Sequence, residues 1–283
     1  MALATAARLP QLDEDGPALL AALAAEGVDA EPVVWDDSRA DWSAYALVVI
    51  RSTWDYVPRR DEFLAWAAAL PVPVANPADV LAFSTDKSYL RVLAARGVPV
   101  VPTLWDPAGL PVDGRDWVVK PLVSAGAADT ARWGPDQHEQ AGVHLRRLQG
   151  SGRGSMAQPY MSGVDTEGET SVLMLGGQVS HAVRKGQILW PGTGTQAVIL
   201  DKDEREVIAP RTATAEQLAV AAAAVAAVPG GADRLLYARV DLVPGAAGAP
   251  LLLELELAEP SLFLAHGEGA SRRLARAVAA RVG

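Results

Sequence analysis

Four carboxylates lie within one of the most apolar stretches of the chain, Leu235 to Phe263: Asp241, Glu254, Glu256 and Glu259. Ionised side chains removed from water are costly unless a partner compensates them, and neighbouring like charges raise one another's pKa. A divalent cation would balance these charges, and oxygen-only ligands suit Mg²⁺ or Mn²⁺. An antiparallel strand pair with a solvated acidic face is the alternative.

The four acids belong to two segments that alternate like neighbouring strands. Arg239 and Asp241 share one face of the first segment, and Glu254 and Glu256 share one face of the second. The connection 244–250 is rich in Gly and Pro, which predicts a turn without fixing the register of a hairpin. If Asp241 falls opposite Glu254, three acids converge, and Asp241, Glu254 and Glu256 are the predicted metal ligands. The fourth acid, beyond the alternating run, is expected to support the loop or the substrate.

Lys87 occupies a position suited to binding phosphate. Thr85 is predicted to be the N-cap of a helix over 86–96, which places Lys87 in the first turn. A lysine there lies against the positive end of the helix, an unfavourable place unless an anion is nearby. An ordinary surface lysine is the alternative.

Lys120 is the second candidate for binding phosphate. It ends a predicted apolar strand and precedes Ser124, Ala125, Gly126 and Ala127, which are small enough for backbone N–H groups to approach a phosphate. The phosphate-loop consensus GxxxxGK[ST] is absent, so an ordinary strand end is the alternative.

The middle of the chain contains a strand that ends where it meets a proline, in the run Gln158, Pro159, Tyr160, Met161. Such a connection can present backbone groups to an adenine ring, although alone it predicts only a hinge. Glu169 opens the next predicted strand.

A polar run follows the strand predicted over 47–50. It supplies a guanidinium, two hydroxyls, an indole and a carboxylate, in the order Arg51, Ser52, Thr53, Trp54, Asp55, Tyr56. Ligands collect at the carboxyl ends of strands in open α/β sheets, so these residues are predicted to contact substrate. A packed loop, or an Arg51–Asp55 pair, is the alternative.

A basic pair, Arg184 and Lys185, supplies the cations best suited to a reaction intermediate of negative charge. A solvated strand end is the alternative. The nearby His181 is either a base or a packed histidine.

Helices and strands alternate in the first part of the chain, with strands predicted over 2–6, 28–35 and 47–50 and helices over 13–26 and 61–70. This order indicates a partly parallel sheet with helices on its faces, and hence an α/β class. No GxGxxG follows the first strand, so a dinucleotide fingerprint is absent.

Composition excludes several classes of protein. The net charge of −9 argues against a nucleic-acid partner, and no apolar run approaches the roughly 20 residues of a membrane span. Zero cysteines exclude disulfides, thiolate metal sites and cysteine nucleophiles. The first residues lack a signal-peptide core, so we expect a cytoplasmic protein. A homo-oligomer is compatible with the sequence.

The order of these features is more specific than any one of them. It runs from Lys87 in TDKSYLRVLAARGVPVVPT, through Lys120 in VVKP, the hinge QPYM, Glu169 and Asp241, to the closing E-x-E. Together they resemble the ATP-grasp superfamily in its glutathione synthetase-like form. The resemblance implies an α/β (α+β) ATP-grasp fold with an N-terminal substrate-side domain (1–85), a central subdomain (86–161) and a C-terminal subdomain carrying the metal site (162–283). The last two would clamp ATP.

The resemblance also assigns roles to single residues. Lys87 and Lys120 would hold the phosphates of ATP beneath a mobile cover that includes Ser124 and Ala125. The hinge from Gln158 to Met161 would bind adenine. Glu169 would bind the ribose, with Asp165 as a rival, and the three predicted acid ligands would bind two Mg²⁺ or Mn²⁺ ions.

A narrower resemblance covers the phrases VIRSTWDY, NPADVLAFSTDKSYLR, VVKPLVSAGA and LELELAEPSLFL. They are similar to the ATP-grasp subgroup that includes the D-cycloserine-forming enzymes of antibiotic biosynthesis. This implies ATP-dependent cyclisation of an amino-acid-like small molecule, O-ureido-D-serine, through an acyl phosphate, with release of CO₂ and ammonia. Another carboxylate–amine ligase for amino acids or peptides, or a non-catalytic nucleotide-binding regulatory protein, stays open.

One departure from the superfamily concerns the catalytic cations. Many relatives carry a further arginine in a G-D-F-R loop after the basic pair, whereas this chain has GQILWPGTGTQAV. Arg239 could take its place, so Arg184, Lys185 and Arg239 are the predicted catalytic residues. Arg205 and Arg211 are less constrained by pattern.

Overall fold

Three β-sheets organise the chain, which a computed structural model describes over residues 1–195 and 207–282. Within these residues, an N-terminal sheet and a central sheet have four strands each and a C-terminal sheet has five.

The N-terminal sheet is parallel throughout. Its strands are β1 (Ala2–Thr5), β2 (Glu31–Val34), β3 (Val48–Ser52) and β4 (Val74–Ala75), in the spatial order β2-β1-β3-β4. Helix α1 (Gly16–Ala25) connects β1 to β2, and helix α2 (Arg60–Ala69) connects β3 to β4. Because parallel neighbours need such crossovers, this arrangement confirms the predicted βαβ order.

Two short helices, α3 (Ala78–Ser84) and α4 (Tyr89–Ala95), follow the N-terminal sheet. The prediction that Thr85 caps a helix over 86–96 is wrong. Thr85 is the C-cap residue of α3, and Lys87 lies in the connection between the helices. Asp86 accepts a hydrogen bond from the Ser88 backbone N–H at 2.9 Å, and such local side-chain bonds compete with helix formation.

The central sheet is antiparallel. Its strands are β5 (Leu104–Trp105), β6 (Trp117–Pro121), β7 (Ala131–Trp133) and β8 (Ser155–Pro159), in the order β5-β8-β6-β7. Helix α5 (His138–Gly150) covers the sheet and buries Leu145 and Leu148 against Trp117. Lys120 lies in β6, near the end of the strand, as predicted.

The C-terminal sheet is also antiparallel. Its strands are β9 (Glu169–Leu175), β10 (Gln178–Lys185), β11 (Ile208–Arg211), β12 (Tyr237–Pro244) and β13 (Pro250–Glu256), in the order β11-β10-β9-β12-β13. The helices of this part are α6 (Val164–Glu167), α7 (Ala215–Ala226) and α8 (Ala270–Val282). In the β12–β13 hairpin Asp241 lies opposite Glu254, which confirms the register on which the acid cluster depended.

The two faces of the C-terminal sheet have different neighbours. One face packs with α3, α4 and α7 in a cluster that includes Leu90, Ala224 and Val240. On the other face, Leu173 and Leu236 share a cluster with residues of the N-terminal sheet, α1 and α8. The three sheets lie within the three ranges predicted as domains, while the boundaries at 85/86 and 161/162 stay a prediction. None of the described helices has the length and apolar character needed to cross a membrane.

Candidate functional site

The charged residues come from one face of the C-terminal sheet, because side chains alternate along each strand. On that face of β12, Tyr237 is followed by Arg239 and Asp241. The neighbouring strand β9 is antiparallel, and in the same direction along the sheet its apolar Leu173 is followed by Ser171 and then Glu169. The apolar ends of the strands pack on the N-terminal sheet. The charged ends line a cleft of about 290 Å³.

Asp241 lies at the centre of the charged face. Its carboxylate accepts hydrogen bonds from Ser171 Oγ at 2.6 Å, Lys185 Nζ at 3.2 Å and Arg239 Nε at 3.1 Å. Burial raises the pKa of Asp241, but the charges of Arg239 and Lys185 outweigh burial and hold it well below its usual range. Asp241 is therefore ionised at neutral pH.

Glu254 connects the C-terminal sheet to the central sheet. Its Oε1 atom lies 2.7 Å from Lys120 Nζ, and both side chains line the cleft. Burial raises the pKa of Glu254, but Lys120 and Lys87 overcome this effect and lower it to about 2.

Glu256 is the third predicted metal ligand, and it forms a close ion pair with Arg239. Burial outweighs the charge of Arg239 in this case and raises the pKa of Glu256. Asp241, Glu254 and Glu256 thus line the same cleft, each paired with a cationic side chain.

The acid set offers carboxylate oxygens only, the donor type that Mg²⁺ and Mn²⁺ prefer. Asp241 and Glu254 face each other across the β12–β13 ladder, which fits a shared cation. In the described ranges 1–195 and 207–282, however, no three His, Asp or Glu side chains are grouped closely enough to hold a metal ion. The three acids are paired with Lys and Arg side chains instead.

Lys87 and the small-residue loop meet at the opposite wall. Lys87 is buried, and its Nζ donates to the Ser124 carbonyl oxygen at 2.9 Å and to Ser124 Oγ at 3.0 Å. Gly126 and Ala127 adopt φ of 58° and 56°, so the loop turns through the left-handed region. Ser124, Ala125, Lys87 and Lys120 all line the cleft.

The predicted hinge also lies in the cleft wall, through Gln158, Pro159, Tyr160 and Met161. Gln158 Nε2 donates to Thr103 Oγ1 at 3.0 Å, whereas Gln158 Oε1 is buried without a hydrogen-bond partner among the described residues. An unsatisfied acceptor beside a cleft fits a ligand that carries an N–H group.

The two predicted ribose acids differ in position. Glu169 lines the cleft and lies 2.9 Å from Lys185 Nζ. Asp165 is not among the lining residues and instead accepts hydrogen bonds from the Tyr160 hydroxyl and from Arg132. The geometry favours Glu169.

Only two residues of the predicted run 51–56, Trp54 and Tyr56, line the cleft, and the first two residues of the run belong to β3. Arg51 is buried, with Nη2 3.3 Å from the Pro260 carbonyl oxygen and 3.7 Å from Asp13. Ser52 Oγ accepts the Asp13 backbone N–H at 3.0 Å, and the buried Thr53 hydroxyl has no partner among the described residues.

Asp55, the remaining residue of that run, accepts hydrogen bonds from Trp35 Nε1 at 2.9 Å and from Arg59 at 3.4 Å. The alternative of an Arg51–Asp55 pair is therefore wrong. The contacts of Arg51, Ser52, Thr53 and Asp55 are those of a packed loop, and their role toward substrate stays a prediction.

Two residues of β10 have local structural contacts. Arg184 is not among the lining residues, and its Nε donates to the Glu167 carbonyl oxygen at 2.8 Å. His181 Nε2 lies 3.1 Å from the Leu262 carbonyl oxygen and 3.2 Å from that of Phe263. Since carbonyl oxygens only accept, Nε2 carries the proton and His181 is a packed histidine.

Sequence reasoning missed Phe263 and Ser261 as parts of the site. The Arg239 guanidinium lies 5.6 Å from the centre of the Phe263 ring, and Arg239 Nη1 donates to the Ser261 carbonyl oxygen at 3.2 Å. Their proximity to the acid run was the only available signal. The loop GQILWPGTGTQAV contributes Ile188 and Leu189 to the cleft, whereas its last residues and Arg205 lie outside the described residues.

The chain matches a family model described as the N-terminal domain of the D-cycloserine synthetase DcsG, over residues 1–76. It is also 38% identical to the cycloserine biosynthesis protein DcsG of Streptomyces lavendulae, over 100% of this chain and 98% of that protein.

Comparison with solved structures also finds similarity to D-cycloserine synthetase DcsG. A crystal structure of D-cycloserine synthetase DcsG superposes with a TM-score of 0.88 at 37% identity, covering 100% of this chain and 99% of that one. The ATP-grasp ligase PsnB, solved with a minimal precursor, Mg and ADP, superposes with a TM-score of 0.63 at 19% identity, covering 100% of this chain and 97% of PsnB. This second likeness concerns the fold alone.

Proposed function

Because this chain belongs to the D-cycloserine synthetase family of ATP-grasp ligases, we propose that it cyclises O-ureido-D-serine to D-cycloserine at the expense of ATP. The substrate carboxylate attacks the γ-phosphate, which gives an acyl phosphate and ADP. A nitrogen of the same molecule then displaces phosphate and closes the ring. Water then hydrolyses the bond between the ring nitrogen and the carbamoyl carbon, which returns a proton to the nitrogen and releases the carbamoyl group as CO₂ and ammonia.

The observation that carries this proposal is the meeting of two lysines and three acids in one cleft. Lys87 and Lys120 come from different parts of the chain, and Lys120 reaches Glu254 across the cleft at 2.7 Å. A buried group of cations and carboxylates supports phosphoryl transfer, which depends mainly on positioning and on stabilisation of charge.

In this proposal the nucleotide extends from the hinge to the lysines. Gln158 to Met161 contact adenine, with the unpartnered Gln158 Oε1 available to an exocyclic amine. Glu169 binds the ribose. Lys87, Lys120 and the backbone of Ser124 and Ala125 hold the phosphates.

Asp241, Glu254 and Glu256 would hold Mg²⁺, with two ions proposed and Mn²⁺ as a substitute. When bound, such ions neutralise phosphate charge and orient the transferring group. The PsnB complex with Mg and ADP supports this type of site for the fold.

Lys185 and Arg239 are the cations placed to stabilise negative charge on the substrate. Both line the cleft, and both contact Asp241, which orients them. Arg184 is bound to the carbonyl oxygens of Thr166 and Glu167, which supports a role in positioning the end of β10. Arg239 thereby supplies the charge that a G-D-F-R arginine supplies elsewhere.

The test is ATP turnover with O-ureido-D-serine as the only amino-acid substrate. We expect ADP, phosphate and D-cycloserine in equal amounts, measured by coupled assay and mass spectrometry. Glu254→Gln should abolish turnover, while the exposed control Glu268→Gln should retain it. Turnover that starts only after an amine is added would identify a two-substrate ligase instead, and full activity of Glu254→Gln would refute the metal assignment.

A further inference from the structure

Glu259 is a carboxylate in the cleft to which the proposed function gives no role. It lines the same wall as Ser261 and Phe263, just beyond β13. The other four acids of the cleft each lie against a Lys or Arg nitrogen. Glu259 belongs to none of the ion pairs of the described residues, although the charge of Lys87 acts on it and lowers its pKa in part.

Two aromatic residues from the N-terminal sheet fix the position of Glu259. Trp54 Nε1 donates to the Glu259 carbonyl oxygen at 2.9 Å, and the Tyr56 hydroxyl donates to the Glu259 carboxylate. Burial raises the pKa of Tyr56 well above its usual value, so the phenol stays protonated and remains a donor. Tyr56 is itself stacked on Phe63, with ring centres 4.8 Å apart.

The cleft is lined by one more carboxyl side chain than cationic side chains. Five carboxylates face four cationic side chains among the lining residues. Burial and the charge of Glu256 raise the pKa of Glu259 to about 8, because the Tyr56 hydrogen bond and the charge of Lys87 offset them only in part.

The neighbours of Glu259 decide which cation fits. A divalent metal needs several further oxygen ligands, whereas Tyr56, the side-chain partner of the Glu259 carboxylate, is a hydrogen-bond donor. An ammonium group is compact and brings three donors of its own, which a carboxylate can accept. Arg239, which pairs with Asp241 and Glu256 and packs against Ser261 and Phe263, brings positive charge into the same cleft, where the carboxylate of an amino acid would lie.

We propose that Glu259 binds the ammonium group of the amino-acid substrate, with Tyr56 and Trp54 as positioning residues. This inference rests on the proposed function. It gives the loop after β3 a role in substrate binding through two of its side chains. It also explains why an acid stands three residues after the last proposed metal ligand.

The experiment compares O-ureido-D-serine with its desamino analogue, which lacks only the ammonium group. Calorimetry with a non-hydrolysable ATP analogue and Mg²⁺ measures both dissociation constants for wild type, Glu259→Gln, Tyr56→Phe and the exposed control Glu268→Gln. We expect Glu259→Gln to weaken binding of O-ureido-D-serine about 10- to 100-fold, the value of a charge-assisted hydrogen bond. Its affinity for the desamino analogue and for the nucleotide should match wild type.

Tyr56→Phe should weaken binding of O-ureido-D-serine by a smaller factor and leave the analogue unaffected, and it tests the inference even if Glu259→Gln does not fold. An equal loss on both ligands would show that Glu259 only supports the loop, and would overturn the inference while leaving the proposed function intact. If wild type neither binds nor turns over O-ureido-D-serine, the proposed function fails, and the inference fails with it.

Discussion

The C-terminal sheet meets the other two sheets in different ways. At its contact with the N-terminal sheet, the N–C interface, Asn76 bonds three backbone groups and Tyr237 reaches the Ile50 carbonyl oxygen at 2.7 Å, all of them buried. At its contact with the central sheet, the central–C interface, the polar links are Lys120–Glu254 and Arg132–Asp165. The first interface is buried throughout, whereas the second combines an apolar contact through Met156 with these ion pairs.

This difference indicates which parts of the cleft are rigid. Leu3, Leu19 and Leu173 belong to one hydrophobic cluster that spans the N–C interface. The core of the central sheet, around Trp117 and Leu145, is a separate cluster. The N-terminal and C-terminal sheets therefore form one platform, against which the central sheet is held both by the apolar Met156 and by side chains that are proposed to bind ligands.

The largest effect is expected from breaking the N–C interface at Asn76. Its side chain donates to the carbonyl oxygens of Tyr237 and Leu257 at 2.9 and 2.8 Å and accepts the Leu236 N–H at 2.6 Å. Asn76→Ala leaves these buried groups without partners, so we expect a loss of about 3–5 kcal/mol in the free energy of unfolding. Urea unfolding followed by circular dichroism measures it. A loss no larger than that of Arg132→Ala would contradict the comparison.

The second-largest effect is expected on activity, from a substitution at the central–C interface. Lys120→Met removes a proposed phosphate ligand, and we expect kcat/KM for ATP to fall about 100- to 1,000-fold, since preorganised charges of this kind contribute that much. Lys120→Arg should retain part of the activity. Wild-type kcat/KM in Lys120→Met would exclude this lysine from the phosphate site.

Lys120→Met should also change how the stability of the folded protein depends on pH under acidic conditions. Glu254 has a pKa of about 2 in the folded protein, below its ordinary 4.5, mainly because Lys120 and Lys87 overcome the effect of burial. The stability it contributes is present above pH 4.5 and is lost as the pH falls toward 2. Thermal unfolding between pH 2 and 6 should show a shallower dependence in Lys120→Met than in wild type.

Sequence alone predicted the parts of the site that depend on local alternation. Because side chains alternate along a strand, the sequence placed Arg239 and Asp241 on one face, and likewise Glu254 and Glu256. The same alternation predicted that Lys120 and Glu169 lie near strand ends. The ordered series of lysines, hinge and acids then indicated the family. Such features need no knowledge of distant contacts.

The remaining features depend on contacts far apart in the chain. Arg51 was predicted to contact substrate, yet it lies against the Pro260 carbonyl oxygen, 209 residues away in sequence. Thr85 has a good N-cap side chain, but the chain turns there because the Lys87 backbone N–H binds the Leu122 carbonyl oxygen. No local sequence pattern predicts that Tyr56 lies beside Glu259. Tertiary packing overrides local preference in each case.

A pH-dependent effect on stability is expected from Glu259, within the platform itself. The pKa of Glu259 is raised from 4.5 to about 8 in the folded protein, because burial and Glu256 disfavour its charge. Between these values the folded state holds a proton that the unfolded state has lost, so stability falls as the pH rises from 4.5 to 8. Glu259→Gln should therefore unfold at a higher temperature than wild type at pH 8.5 and show little difference at pH 4.5. Scanning calorimetry in EDTA checks this, and an equal shift at both pH values would show that the charge of Glu259 is not the cause.

The smallest effect on stability is expected at the outer edge of the central–C interface. Arg132 lies 3.5 Å from the centre of the Tyr160 ring and pairs with Asp116 and Asp165, whose side chains are 24% and 35% exposed. Because Arg132 is only 10% exposed while its two acids remain partly exposed, Arg132→Ala should lower the free energy of unfolding by about 1–2 kcal/mol, less than Asn76→Ala does. It should nevertheless raise KM for ATP, since Tyr160 belongs to the proposed adenine hinge and loses the guanidinium that orients it.

Steady-state kinetics and urea unfolding of one preparation separate these effects. A large loss of stability with unchanged KM would mean that this edge is part of a rigid core, and that the two interfaces do not differ as described.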